Sequence, residues 1–371
     1  MNVRIASLLK CLPLLAALLP FAASCQSIAG IEEYRQGHCA DFCDQVMANC
    51  TGANEVYHSR ASCMGFCALL REGDFNEKDS GNTVACRWNA VKGLPDLGEA
   101  VQACQWAGPG GGDHCGESNC DNYCALFPKV CPDQASSQEP CKTNCLGFRD
   151  DGNLNATDDH EGDTIQCRLV HLSAATTEPT SHCQHARLAK PSAYCTDEAL
   201  KEPHPLNCDD YCKLVDAICS GNAAVYEDVD QCKAVCKYFA IGEVGDQTED
   251  TLTCRKYHTQ NAIALPATHC AHAGPGGDGH CGDTMTGNCD SYCSLLNNVC
   301  PAELAGAFTD IDGCLADCAD LPDSASNMGY SAEKTKHPGE ALPFGCRLLS
   351  LSRAAAGKVA CGMVLDETSC L

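Results

Sequence analysis

The chain has 371 residues, a formal net charge of −24 and 34 cysteines. A chain this acidic repels nucleic acid and anionic lipid head groups, which excludes nucleic-acid binding as its role. Aromatic residues make up only 6% of the sequence, so the hydrophobic cores must be small and disulfides must supply much of the stability.

The N-terminal segment has the features of an export signal. Residues 1–24 contain Arg4, Lys10 and an apolar run that two prolines interrupt, which is typical of a signal peptide and too short for a membrane-spanning helix. We therefore expect residues 1–24 to be removed and residues 25–38 to form a linker.

The leader ends in Ala22-Ala23-Ser24-Cys25, which resembles the lipobox of bacterial lipoproteins. Cys11 leaves with the leader and 32 cysteines form sets of eight, so Cys25 alone has no partner. The resemblance implies a lipid on Cys25 that anchors the protein to a membrane surface. The segment Cys25 to Glu33 also resembles the start of cysteine-rich surface lipoproteins of Gram-negative bacteria, whose functions are mostly unassigned, and Gln26 implies the outer membrane. The small residues before Cys25 also suit an ordinary signal peptidase.

The remaining cysteines form four copies of one pattern. Each copy reads C-x3-C-x6-C, a gap of 9 to 13 residues, C-x3-C, and three more widely spaced cysteines. Recurrence at a period of about 80 to 90 residues indicates a tandem array. The predicted repeats are 39–118, 119–206, 207–287 and 288–371.

The first three cysteines of each copy predict a helix. Positions i, i+4 and i+11 lie within about 40° of one another on a helix, and apolar residues such as Phe42 and Val46 share that face. Asn119, Asn207 and Asn288 directly precede the first cysteine of their copies and are expected to cap this helix. A second short helix carries the second C-x3-C.

Two antiparallel helices with cysteines at i and i+4 can be closed by two nested bridges. Eight cysteines allow 105 connectivities, and this geometry favours the following pairs among them. The predicted bridges are Cys39–Cys67, Cys43–Cys63, Cys208–Cys236 and Cys212–Cys232. Cys104 and Cys115 lie close together around a glycine-rich loop and are expected to pair, which leaves Cys50 for Cys86. The hairpin resembles the twin C-x3-C hairpin of small mitochondrial import chaperones. We expect all bridges to lie within repeats.

A third helix is predicted around the sixth cysteine, which an arginine follows in every copy. The four arginines are Arg87, Arg168, Arg255 and Arg347. We expect each to pair with a local acid or to cap a helix rather than to bind a ligand. The glycine-rich segment between the seventh and eighth cysteines lacks the strand and helix that a phosphate-binding loop needs, which favours a tight turn.

Copies two and three each contain three histidines at the same spacings. These are His171, His182 and His185 in copy two, and His258, His269 and His272 in copy three. Each set begins four residues after the sixth cysteine and ends beside the seventh. Three converging imidazoles suit copper, zinc or nickel. Copies one and four lack the set, so the fold does not require it; inherited surface histidines are the alternative interpretation.

The sequence lacks the motifs of several functional classes. The chain contains no C-x-x-C, H-E-x-x-H, G-x-S-x-G or Walker sequence, and no catalytic residues or enzyme activity are predicted. The sequence therefore predicts an all-α, loop-rich tandem array of four disulfide-stapled short-helix repeats with small cores. The expected function is an exported, lipid-anchored structural or protein-interaction module of the cell envelope; metal binding by the histidines is the alternative. The expected partners are the membrane, through the lipid, and an envelope protein, and the one cofactor considered is a divalent metal ion.

Overall fold

A computed structural model describes most of the chain from residue 38 onward. The described ranges are 38–76, 79–92, 97–138, 140–150, 153–159, 161–189, 194–196, 206–243, 246–282, 288–324, 328–337 and 343–366. Within these ranges the fold is all-α, without a strand and with only three isolated β-bridges. The leader, Cys25 and the linker up to residue 37 lie outside the described residues, so their processing stays a prediction.

In the described residues, each of the first three repeats has four α-helices in the same order. In repeat one these are α1 (residues 38–49), α2 (Arg60–Cys67), α3 (Val84–Val91) and α4 (Leu97–Ala107). Repeat two has α5 (Asn119–Val130), α6 (Cys141–Leu146), α7 (Ile165–Ala174) and α8 (Pro179–Ala186). Repeat three has α9 (Cys208–Ile218), α10 (Val229–Cys236), α11 (Leu252–Ala262) and α12 (Pro266–Ala273).

Repeat four departs from this order. Its helices are α13 (Cys289–Val299), α14 (Pro301–Ala307), α15 (Ile311–Ala319), α16 (Ala332–Thr335) and α17 (Pro343–Ala355). A single 3-10 turn, Cys361–Met363, stands where the other repeats have their fourth helix. No helix of the described ranges has the length and apolar character that crossing a membrane requires.

The hairpin bridges that the cysteine spacing predicts are present. The first cysteine pairs with the fifth and the second with the fourth in every repeat, including Cys39–Cys67, Cys43–Cys63, Cys208–Cys236 and Cys212–Cys232. These bridges lock the first two helices of each repeat antiparallel. All 15 bridges that the described residues contain join cysteines of the same repeat.

The prediction for the other two bridges is wrong. Cys50 pairs with Cys104 rather than with Cys86, and Cys86 pairs with Cys115. The reason is that α4 packs with Cys104 against the end of α1, while the glycine-rich turn carries the chain back to α3. Proximity in sequence therefore misled the assignment. Repeats two and three have the same two bridges. Cys346 is also disulfide-bonded, and Cys370 lies outside the described residues.

The arginine after the sixth cysteine is a core residue. Arg87, Arg168 and Arg255 are fully buried and Arg347 is 8% exposed. Three of the four pair with acids, as expected: Arg168 with Asp163, Arg255 with Asp250 and Arg347 with Asp317. Arg255 in addition donates to the carbonyl of Gly274, the C-cap residue of α12.

In repeats one and three the arginine also fixes the glycine-rich turn. Arg255 donates to the carbonyls of Gly274 and Pro275 at 3.1 and 3.4 Å, and Arg87 contacts the equivalent carbonyls in repeat one. Beyond those carbonyls, Gly277 and Gly279 have φ of +71° and +77°, values that favour glycine. The turn is therefore built from glycine conformations and a buried cation, and it positions the eighth cysteine.

Helix capping follows the prediction in one of the three copies named. The Asn207 side chain accepts from the Asp210 amide and caps α9. In α5 the cap is Ser118, and Asn119 lies inside the helix. The Asn288 side chain instead accepts from the amide of Asp278 in the preceding turn. Two of these asparagines thus tie a helix start to other segments rather than to its own amides.

Candidate metal centre

The two histidine triads lie between the last two helices of repeats two and three. The third helix, α7 or α11, presents its histidine one turn after the bridged sixth cysteine, on the same helix face. The fourth helix, α8 or α12, begins with proline at its first position and presents two histidines at i and i+3. The seventh cysteine stands between those two histidines, and its bridge holds them against the repeat.

The repeat-three triad is His258, His269 and His272. The Nδ1 atom of His258 lies 3.0 Å from Nδ1 of His269 and 3.3 Å from Nδ1 of His272. The ring centroids are 4.8 to 5.5 Å apart. His258 Nε2 donates to the Gln247 carbonyl at 3.0 Å, which leaves the Nδ1 lone pair of His258 facing the other two rings.

The repeat-two triad is His171, His182 and His185, and it has nearly the same geometry. Nδ1 of His171 lies 2.9 Å from Nδ1 of His182, and the three ring centroids are 4.8 to 5.9 Å apart. Nδ1 of His185 is buried and, among the described residues, has no hydrogen-bond partner. In both triads the ring of the third helix is nearly parallel to the first ring of the fourth helix, at 29° and 28°.

Burial keeps three of the six imidazoles neutral at neutral pH. It lowers the pKa of His258 to about 4, against the opposing effect of the Gln247 hydrogen bond and with help from His269 and His280. Burial also lowers the pKa of His182 and of His185 below the ordinary value. Neutral imidazole is the form that binds metal, so the triads need no proton release from these rings at neutral pH.

The spacing of the nitrogens matches a transition-metal site. In a tetrahedral zinc site with Zn–N distances of about 2.0–2.1 Å, the ligand nitrogens lie about 3.3–3.4 Å apart. In each triad the ligand nitrogens all lie within 4.8 Å of one another, and the shortest separations are 2.9 and 3.0 Å. At 2.9 and 3.0 Å the paired Nδ1 atoms share a hydrogen bond, and a cation at the centre of the three rings would replace it once the donor ring had changed tautomer. The sulfurs near His171 and His258 belong to disulfides and are therefore not thiolate ligands.

In each triad the first histidine of the fourth helix is the most exposed of the three rings. His171, His185, His258 and His272 are at most 8% exposed. His182 has 27% of its side chain exposed, and His269 at the equivalent place is half-buried. The Glu178 carboxylate lies 4.0 Å from His182 at this opening, where repeat three has the exposed Leu265. An ion can therefore enter past the first histidine of the fourth helix.

Two further rings adjoin the triads, and the sequence analysis missed both. His280 stacks on His272 with centroids 3.8 Å apart, and Tyr194 lies 4.5 Å from His185. Each directly precedes the eighth cysteine. The sequence shows this shared position, but it places the two rings beside the triads only when the bridge between the sixth and eighth cysteines is known.

Repeat one forms its third and fourth helices without a triad, whereas repeat four forms its third-helix equivalent, α17, and has only a 3-10 turn in place of the fourth. Repeat one has Ala90, Ala103 and Trp106 at the three positions, and Trp106 stacks on His114 at 4.0 Å. Repeat four has Ser350, Ala360 and Met363 there. A stacked aromatic pair thus occupies in repeat one the space that imidazoles occupy in repeats two and three.

Comparison with known proteins identifies a family for this chain. A model described as the BfoA family C-terminal domain matches residues 14–119 and 196–284, just over half of the chain. The chain belongs to this family. The two matched segments contain all eight cysteines of repeats one and three. Because repeat one has no triad, the match to the BfoA family domain does not depend on the histidines. No curated protein and no solved structure matches the chain.

Proposed function

We propose that this protein binds transition-metal ions at the two histidine triads, on a disulfide-stapled scaffold. The observation that carries the proposal is the near-identical convergence of three ring nitrogens in repeats two and three, within 4.8 Å in each. Inherited surface histidines, the alternative interpretation, would be exposed and need not converge. Four of these six rings are instead buried. The geometry therefore favours metal binding over the structural-module interpretation that the sequence alone favoured.

Imidazole nitrogens suit zinc, copper or nickel rather than calcium or magnesium, which prefer oxygen ligands. No reaction is part of the proposal: the protein is proposed to bind the ion and not to act as an enzyme. Binding and release would proceed through the half-exposed histidine of each triad, His182 or His269. An acidic surface, with a net charge of −24, raises the local concentration of cations around both openings.

We also propose a cellular location for the protein. The many disulfides indicate an oxidising compartment. We propose that the leader is removed, that Cys25 carries a lipid, and that the protein lies on the outer membrane of a bacterial envelope. An envelope protein would be its partner there, either as donor or as acceptor of the ion. The mass of the membrane-extracted protein tests this: acyl chains on Cys25 support it, and an N-terminus at Gln26 contradicts it.

Calorimetric titration of the purified, oxidised chain with zinc tests metal binding. We expect two zinc ions per chain, each with three imidazole ligands. His258→Ala removes the central ring of the repeat-three triad and should leave one zinc ion, as should His171→Ala in repeat two. Both substitutions together should leave none.

A matched control uses His337, an exposed histidine of repeat four whose ring lies 3.5 Å from the Glu333 carboxylate. His337→Ala should still bind two zinc ions. A wild-type chain that binds zinc weakly and in the same amount as the double variant would overturn the proposed function.

A further inference from the structure

The residue directly before the eighth cysteine brings a fourth ring to each triad. In repeat three this residue is His280, whose ring lies 3.8 Å from that of His272, at an interplanar angle of 12°, and 5.6 Å from that of His258. In repeat two it is Tyr194, whose ring lies 4.5 Å from that of His185. The position is equivalent, but only repeat three has an imidazole there.

The backbone at His280 is held beside the triad by two constraints. The adjacent Cys281 is bridged to Cys254, one helical turn before His258. The His280 amide also closes the 3-10 turn by donating to the Gly277 carbonyl at 2.9 Å. The ring therefore cannot move far from the triad, although it can turn about its side-chain bonds.

The His280 ring has an unused nitrogen. Its Nδ1 is buried and has no hydrogen-bond partner among the described residues. A buried polar atom without a partner is costly, and such atoms commonly serve a ligand. The 5.6 Å between the rings of His280 and His258 is close to the 4.8–5.5 Å within the triad. In the conformation seen here the ring is stacked on His272, and its nitrogens lie outside the group that converges within 4.8 Å, so it has to turn about its side-chain bonds to reach an ion at the centre.

We propose that His280 turns about its side-chain bonds when an ion binds and becomes a fourth ligand of the repeat-three site, which then surrounds the ion with four imidazoles. Repeat two offers three imidazoles and, in the fourth place, the Tyr194 phenol. This inference rests on the proposed function, since it presumes that the triads bind metal. Four neutral nitrogens complete the tetrahedral shell of zinc. The two sites therefore differ, and repeat three binds zinc more tightly.

The test measures zinc affinity in the full-length oxidised chain, one site at a time, by competition with a chromophoric chelator. His171→Ala together with His182→Ala silences repeat two. His258→Ala together with His269→Ala silences repeat three. Each single-site chain should bind one zinc ion, which establishes the proposed function before the fourth ligand is examined.

Reciprocal substitutions then exchange the fourth rings. His280→Tyr should weaken zinc binding by repeat three about tenfold or more, and Tyr194→His should strengthen binding by repeat two by a similar factor. Tyrosine already occupies this place in repeat two, so His280→Tyr introduces a side chain that this backbone accommodates. The gain from Tyr194→His is a second readout that a misfolded chain cannot produce.

The matched control is His114→Tyr, at the same position of repeat one, where no triad exists. His114→Tyr should leave the zinc affinity of both single-site chains unchanged. Single-site chains that bind one zinc ion each, but with affinities that the exchanges leave unchanged, would show that His280 is a stacking neighbour only. Single-site chains that bind no zinc would instead overturn the proposed function itself.

Discussion

At the scale of single residues, Asp163 joins the two helices that carry the central histidines. Its carboxylate is 3% exposed and accepts from Arg168, next to the sixth cysteine of repeat two. It also lies 3.0 Å from Lys256 and accepts from Gln260, both on α11 of repeat three. Asp163 lies two residues before the start of α7, which carries His171. One buried carboxylate therefore ties the start of α7 to α11.

Asp163→Asn should destabilise the protein by about 3–5 kcal/mol, because it leaves two buried cations without their shared anion. Thermal unfolding monitored by circular dichroism, together with chemical denaturation, measures the change. Asp44→Asn is the control, since Asp44 pairs with Arg60 on the exposed surface and its loss should change little. Equal effects of the two substitutions would contradict the structural role of Asp163.

Low pH should remove the contribution of Asp163 to the free energy of unfolding. Burial by itself would raise the pKa of this carboxyl, but the charges of Lys256 and Arg168 outweigh burial and hold the pKa well below its ordinary value of 3.8. Because the pKa of Asp163 is lower in the folded than in the unfolded protein, its ionised form stabilises the fold. This contribution to the free energy of unfolding is complete above about pH 4 and is lost as the pH falls through the folded-state pKa. The difference in Tm between wild type and Asp163→Asn should be constant from pH 5 to 7 and narrow below about pH 4. A difference independent of pH would contradict this.

At the scale of elements, bridges and helices define the site together. The bridge Cys219–Cys270 ends between His269 and His272, and Cys131–Cys183 ends between His182 and His185. Each bridge fixes α12 or α8 against the first helix of its repeat. The two histidines of that helix thereby keep their place relative to the third.

Removal of Cys219–Cys270 should therefore lower zinc affinity as well as stability. Replacing both cysteines with serine costs about 2–5 kcal/mol of stability and should weaken zinc binding by repeat three by about tenfold or more. The control removes Cys208–Cys236, which closes the first hairpin of the same repeat away from the histidines. Titration at low temperature, where both variants keep their helices, compares them. Equal losses of affinity would contradict a specific role for the seventh cysteine.

Local patterns predicted the elements better than their connections. The i, i+4 spacing predicted the first helix and its hairpin because it depends on a single turn of helix. The pairing of Cys50 with Cys104 depends on how α4 packs, and no spacing within one element reveals that. The same holds for Asp163 and Lys256, which lie 93 positions apart in the sequence yet share a buried ion pair. The histidine spacings predicted the triads, whereas His280 required the eighth-cysteine bridge.

At the scale of the whole molecule, the repeats share one core. Buried apolar residues form a continuous cluster from Cys39 in repeat one to Val364 in repeat four. Backbone hydrogen bonds cross the junctions, from Ala156 to Glu55 at 2.6 Å and from Ala332 to Ala224 at 2.8 Å. The small cores of the single repeats are thereby joined, since each buries too little apolar surface to be stable alone. The bridges within repeats hold each helix in position.

This framework brings the two histidine triads into metal-binding geometry. Anomalous X-ray diffraction at the zinc edge, from crystals of the zinc-loaded chain, tests it most directly. We expect two strong peaks per chain, one in repeat two and one in repeat three, each about 2.0–2.1 Å from at least three histidine nitrogens. Peaks only on surface carboxylates, or triads with no zinc at their centre, would contradict it.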